Sequence, residues 1–295
     1  MTSGRAGAYG DGMDDSASGD ATTVGSEPEI GRSVDVGGIR TNYHREGAGP
    51  TVVLVHGSGP GVSAWANWRL TIPALAERFD VVAPDVVGFG FTDRPEGFRY
   101  SLEAWREHLL GFLDALGIER ASIVGNSFGG GLALSMAVHA PERVDRLVLM
   151  GACGVSFPIT EGLDRVWGYE PSLEAMRGLL DIFAFDRSLV TDELARMRYA
   201  ASVRPGFQES FSAMFPPPRQ NGVDDLATPE EQIRAIRQPT LVVHGRDDRV
   251  IPLDNAYRLL QLVDDSRLHV FGRCGHWTQI EHAEEFNRLV AEFLS

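Results

Sequence analysis

Lysine is missing from this 295-residue chain, in which all 27 basic residues are arginine. That excludes Schiff-base chemistry and the phosphate-gripping lysine of a P-loop. Cysteine is nearly missing too. Cys153 and Cys274 are too few for a disulfide framework, and no CxxC pair offers a metal or redox site, so free thiols in a reducing compartment are expected. Against 41 acidic residues the net charge is −14, and no clustered basic surface is present. No nucleic-acid partner is expected, and small molecules are the expected ligands. No apolar run reaches the roughly 18 residues that would span a bilayer. The opening MTSGRAGAYGDGMDDSASGD has neither a basic leader nor the apolar stretch of a secretory signal. A cytoplasmic location without membrane association is the expectation. What remains, 43% apolar and 23% charged, is the balance of a globular protein. Its length suits one catalytic domain carrying an insertion.

Residues 1 to about 30 are Gly, Ser, Asp and Thr with little to bury, which predicts a disordered acidic tail. Alternating segments around Gly37 and Gly38 predict a β-hairpin. TVVLVHG (51–57) is an apolar run too short for a helix and suits a central, doubly covered strand. A helix is then predicted near 66–78, followed by a strand at 79–85, a helix at 101–117 and a strand at 121–126. The pattern continues with a helix near 128–140, a strand at 143–151, strands at 241–245 and 267–271, and a last helix near 279–294. Alternation of this kind implies an α/β fold with a parallel sheet. Residues 155–222 interrupt it with helical stretches at 172–183 and 191–203, a Pro-rich turn at 215–222 and no strand. The expected division is a core of 31–154 and 223–295 with a helical cap of 155–222 between them. The core is predicted to restart at a capping box with Thr228 as N-cap and Pro229 at the first helical position.

GNSFG (125–129) matches the GxSxG nucleophile elbow, and it sits where the elbow needs to be, between an apolar strand and a helix. A serine hydroxyl attacks only when a base takes its proton, so Ser127 requires a histidine held by a carboxylate. In this fold the order along the chain is serine, acid, histidine. His276 follows the last predicted strand. Asp248 follows the strand before it, and both are at carboxyl ends of strands, where open α/β sheets place their sites. Asp247 competes, but Asp248 fits the GxxD spacing from Gly245. His108, His139 and His282, on helices, read as surface or packing residues. HGSGPG (56–61) closes the strand TVVLV with a glycine-rich loop able to point backbone N–H groups at an oxyanion. It is not a dinucleotide fingerprint, because Val62 stands where the third glycine belongs and Pro60 lacks a donor. The amides of Phe128 and Ser58 are the candidate oxyanion hole.

HGSGPGVSAWANW (56–68), PDVVGFGFTDRP (84–95), GNSFGGGLAL (125–134), GRDDRVIP (245–252) and FGRCGHWTQIEH (271–282) resemble the meta-cleavage product hydrolases of aromatic degradation. The resemblance covers about residues 31–295 and is strongest to the branch acting on ring-fission products of monocyclic aromatics. It implies an α/β-hydrolase fold and hydrolysis of a carbon–carbon bond in 2-hydroxy-6-oxohexa-2,4-dienoates, such as 2-hydroxymuconic semialdehyde and its alkyl ketone relatives. The products are 2-hydroxypenta-2,4-dienoate and a carboxylic acid. No metal or cofactor is implied, and the family's habit of forming homodimers or larger homo-oligomers carries over as an expectation. LVTDELARMR (189–198) matches a family segment whose last residue binds substrate, which implies that Arg198 grips the dienoate carboxylate. Arg196 and Arg204 are the alternatives. Asn67, Asn126 and Trp277 fall on family positions lining the polar half of the pocket, although Trp277 is also readable as packing. The tail before residue 30 has no counterpart in the family pattern.

A carboxylesterase would use the same triad, and a non-catalytic receptor on this fold would need none of it. A haloalkane dehalogenase requires an aspartate where Ser127 stands.

Overall fold

The computed structural model describes residues 27–295. Eight strands form one sheet: β1 Arg32–Val36, β2 Ile39–Glu46, β3 Thr51–Val55, β4 Asp80–Pro84, β5 Ala121–Asn126, β6 Val144–Met150, β7 Thr240–Gly245 and β8 Ser266–Phe271. Their order is β1-β2-β4-β3-β5-β6-β7-β8. β1 and β2 form the predicted hairpin, and β2 also runs antiparallel to β4, while every later pairing is parallel. Gly37 and Gly38 turn the hairpin with φ of 60° and 89°, the left-handed pair that a two-residue turn requires.

From β3 the chain goes first to β4 on one side and then to β5 on the other. That reversal opens a crevice beyond the carboxyl ends of β3 and β5, the standard place for a ligand in an open α/β sheet. Every residue of β4, β5 and β7 is buried. Alternate side chains face opposite layers, as with Ile123 and Val124 in adjoining positions of β5. One layer holds the helices Leu102–Ala115, Phe128–His139 and Leu253–Leu262 together with the cap. The other holds Ala64–Trp68, Ile72–Ala76 and Ala283–Leu294, with Trp68 stacked on Phe286.

Between β6 and β7 every helix and turn is strandless among the described residues. Besides the expected helices, found at Leu173–Phe183 and Asp192–Ser202, this stretch contains Glu161–Trp167, Phe207–Met214 and Gln220–Asp225. Glu281 ties it to the core: its Oε1 accepts from the Gly275 N–H at 2.7 Å and its Oε2 from the Phe185 and Asp186 N–H groups at 2.8 Å.

Four expectations need correction. The helix near 66–78 is two, Ala64–Trp68 and Ile72–Ala76, because Pro73 has no N–H to give the Arg69 carbonyl four residues back. The last helix breaks at His282, whose φ and ψ of −128° and 44° are not helical. The capping box does not form. Pro229, in an extended conformation, is itself the N-cap of Glu230–Ile233, and Thr228 uses its N–H on the Gly154 carbonyl. The expected disordered tail lies, over residues 1–26, outside the described residues, but Glu27–Ile30 are docked rather than loose. There Glu29 offers its main-chain oxygen to Asn42 Nδ2 (3.1 Å) and its Oε2 to Ser63 Oγ (2.6 Å).

Candidate active site

Ser127 stands at the turn between β5 and the helix Phe128–His139 with φ 54° and ψ −113°. A non-glycine residue rarely occupies this region, and it persists only where the surroundings enforce it. Here the Ser127 N–H donates to the Met150 carbonyl (2.9 Å), while the Ser127 carbonyl accepts from Gly130 (2.9 Å) and Cys153 (3.0 Å). Gly129 passes so close to β3 that a Cβ there would collide with the Val55 and His56 carbonyls, so the elbow tolerates no side chain at that position.

The loops after β7 and β8 bring the other two residues together. His276 Nδ1 lies 2.7 Å from Asp248 Oδ2, with both side chains buried. The other carboxylate oxygen, Oδ1, accepts from the N–H groups of Val250 (2.7 Å) and Ile251 (3.0 Å). Burial works to raise the Asp248 carboxyl. The neighbouring His276 and its hydrogen bond, His244 and the Val250 N–H together outweigh burial and hold it below the usual carboxylate range. Asp247 is elsewhere, paired with Arg246 at 3.3 Å. His276 and Ser127 line the same cavity, and no hydrogen bond joins them among the described residues. Such contacts commonly tighten only when substrate binds.

His244 was not singled out from the sequence. It is buried with Nε2 3.4 Å from Asp248 Oδ2 and 3.0 Å from the Ile251 carbonyl, and burial lowers its pKa. A neutral imidazole donating from Nε2 therefore braces the loop that carries the acid.

The backbone N–H groups of Phe128 and Ser58 have no acceptor among the described residues, which leaves both free for a ligand. The ring of Phe128 is clamped between Trp105 (4.7 Å) and Phe89 (5.4 Å). Ser58 Oγ accepts from Trp167 Nε1 at 3.0 Å, so the cap reaches down to this loop. His56 anchors it from beneath, with Nδ1 2.8 Å from the Gly57 carbonyl while Nε2 accepts from the Val86 N–H at 3.0 Å.

The cavity, about 120 Å³, contains Ser58, Asn67, Asn126, Arg198 and Trp277 along with Ser127 and His276. Trp277 lines the cavity and also stacks on Phe183 at 5.0 Å. Asn67 takes the Gly57 N–H on Oδ1 at 3.3 Å and leaves Nδ2 buried without a partner. Arg198 enters from the helix Asp192–Ser202 and pairs with no carboxylate among the described residues; its Nη2 lies 3.4 Å from the Pro60 carbonyl. The competing arginines point away: Arg196 is exposed, and Arg204 pairs with Glu27 at 3.0 Å and covers Phe91. Two further polar residues of the cavity, Arg69 and Gln279, went unrecognised in the sequence. Arg69 was hidden inside a helix read as continuous.

The chain's residues 50–283 match the family model for the α/β-hydrolase fold. A 2-hydroxy-6-oxo-2,4-heptadienoate hydrolase from Pseudomonas putida is 62% identical over 267 residues, 90% of this chain and 97% of that one. A 2-hydroxymuconate semialdehyde hydrolase from a Pseudomonas species is 60% identical over 92% of this chain and 95% of its own. Among solved structures, a meta-cleavage product hydrolase from Pseudomonas fluorescens, a serine-to-alanine mutant complexed with acetates, superposes with a TM-score of 0.89. It is 63% identical, over 90% of this chain and 97% of that one. The chain belongs to the α/β-hydrolase family and, within it, to the meta-cleavage product hydrolases.

Proposed function

We propose that this chain hydrolyses a carbon–carbon bond in 2-hydroxy-6-oxohexa-2,4-dienoates, either 2-hydroxymuconic semialdehyde or its alkyl ketone analogues. The products are 2-hydroxypenta-2,4-dienoate and a carboxylic acid. The observation that carries the reading is a single cavity lined by the strained Ser127, by His276 with Asp248 hydrogen-bonded behind it, and by the guanidinium of Arg198, which is in ion-pair contact with no carboxylate among the described residues. An esterase needs only the first two features, whereas a cation without a paired carboxylate fits a substrate that carries one.

The chemistry needs an electron sink before the bond can break. The 2-enol first becomes the 2-ketone as its proton leaves and another is delivered to C5, with His276 assisting the transfer. Ser127 then attacks the C6 carbonyl and passes its proton to His276, while Asp248 orients and stabilises the imidazolium. The oxyanion formed at C6 is held by the Phe128 and Ser58 N–H groups at the positive end of a helix. When the C5–C6 bond breaks, its electron pair runs through C4 and C3 to the 2-oxygen, leaving a dienolate that takes up a proton. Water releases the acyl group from Ser127 as the carboxylic acid.

The test is a panel of yellow ring-fission dienoates bearing formyl, methyl, isopropyl or phenyl groups on C6, each followed by loss of colour and compared with aryl esters. Turnover of the small members with release of the matching acid is expected. Rapid ester hydrolysis with no dienoate turnover would replace the reading with a carboxylesterase.

A further inference from the structure

The cavity is lined by two guanidinium groups, Arg69 and Arg198, and by no carboxylate among the described residues. A dienoate substrate brings one carboxylate, which Arg198 is enough to hold. The second cation is then left without a carboxylate in ion-pair contact in the ground state, among the described residues. Carbon–carbon cleavage supplies one, because the electrons of the breaking bond arrive on the 2-oxygen and the first-formed product bears both a carboxylate and an enolate.

We infer that Arg69 is a second anion-binding residue of this site, holding the 2-oxygen of the dienoate and stabilising the negative charge that develops there. The inference rests on the dienoate reading and adds to it the residue that answers the electron sink. Several observations support it. Arg69 follows directly on the helix Ala64–Trp68 that presents Asn67, and the helix interruption that Pro73 brings frees it from a continuous helix. Its Nη1 donates to the Ala66 carbonyl at 2.8 Å, which holds the guanidinium in place without neutralising it. No acid lies within ion-pair distance of Arg69 among the described residues. Glu29, the acid whose field reaches both Arg69 and Arg198, accepts from Ser63 Oγ at 2.6 Å and acts on the two guanidinium groups from beyond ion-pair distance. Burial disfavours the charge on each guanidinium, so each gains from an incoming anion. Asn67 Nδ2 and Gln279 Oε1, a buried donor and acceptor that both lack partners among the described residues, complete a polar end suited to more oxygen than one carboxylate has.

A charge larger in the transition state than in the bound substrate should appear in kcat rather than in KM. In the full chain, Arg69→Gln should lower kcat on the methyl ketone dienoate by about 10- to 100-fold with KM within about threefold, the loss expected for a hydrogen bond to a charged group. Arg69→Lys should recover part of it, since a point charge replaces a planar fork. In a Ser127→Ala background, where bound dienoate persists, the enol-to-enolate titration of the bound ligand followed by its visible absorbance should move up by about one pH unit or more when Arg69→Gln is added. The midpoint of thermal unfolding reports whether each variant folds. An unchanged kcat with an unchanged enol titration would overturn the inference, as would a loss confined to KM, which would make Arg69 a second carboxylate ligand. If wild type cleaves dienoates and Arg69→Gln does so equally well, only the role of Arg69 falls. If wild type cleaves none, the catalytic reading falls first and Arg69 with it.

Discussion

Two buried histidines should make this protein sensitive to mild acid, and one substitution should relieve much of the effect. His56 is fixed as the neutral tautomer, because Nδ1 faces the Gly57 carbonyl and Nε2 accepts from the Val86 N–H, leaving no acceptor for a second proton. His108 contacts Thr41 Oγ1 through Nε2 at 2.9 Å and has a buried, unpartnered Nδ1. Burial depresses each pKa to about 4. The unfolded chain takes up these protons near the ordinary value of about 6.5, before the folded chain does. Stability from both groups is thus complete above about 6.5 and is lost as pH falls towards 4. At about pH 4.5 the loss is roughly 2–3 kcal/mol for each histidine, at about 1.4 kcal/mol per pH unit of separation. Asp85 works in the opposite sense. Burial pushes its carboxyl up to about 6 despite N–H groups from Ala64, Phe91 and Asn42, so the folded chain binds that proton first and gains roughly 2 kcal/mol at about pH 4.5. The three together leave a net loss of roughly 3 kcal/mol, a large part of a typical folding free energy. Urea unfolding at about pH 7.5 and about pH 4.5 measures it, and His108→Gln should shrink the difference between the two by roughly 2–3 kcal/mol whatever it does to stability at neutral pH. An acid loss of the same size in the variant and wild type would refute the reasoning.

Arg198→Gln should lower kcat/KM on dienoates by about 30- to 1000-fold and affect a neutral aryl ester far less, as steady-state kinetics on both substrates would show. Equal losses on the two would indicate a defect in folding or cap placement instead. Asp248→Asn should cost far more turnover than Asp247→Asn, because Asp248 alone meets His276; the reverse order would move the acid. Truncation to begin at Gly31 removes the Glu29 contacts to Asn42 and Ser63 and should lower folding stability by about 1–3 kcal/mol in a denaturant titration. No change would mean that this docking contributes nothing.

The strand–elbow–helix around Ser127 was legible because short apolar runs, a glycine-rich turn and an apolar helix follow one another in a few residues. Asp248 and His276 were legible for a related reason: each ends a recognisable strand, and parallel sheets gather those ends. Arg198 came from the family resemblance, since periodicity alone could not rank it above Arg196. What stayed hidden depends on contacts between distant segments. Arg69 required knowing that Pro73 divides the helix, and a proline early in a helix is also compatible with an uninterrupted start. Glu29 required knowing that Asn42 and Ser63 face the chain's beginning. Composition, which sums over a stretch, reads such a segment as loose even when a single side chain docks it. Neither LVVHGRDD around His244 nor WTQIE around Gln279 shows locally that one side chain turns to the Ile251 carbonyl and the other to the cavity.

The central claim is that Ser127 cleaves a carbon–carbon bond in a dienoate. The direct measurement mixes purified enzyme with 2-hydroxy-6-oxohepta-2,4-dienoate and quantifies substrate colour and released acetate together, for wild type and Ser127→Ala. Wild type should release one acetate per dienoate lost, and Ser127→Ala should bind the substrate yet turn it over slower by a factor of about 1000 or more. Loss of colour without acetate, or near-normal acetate release by Ser127→Ala, would contradict the account.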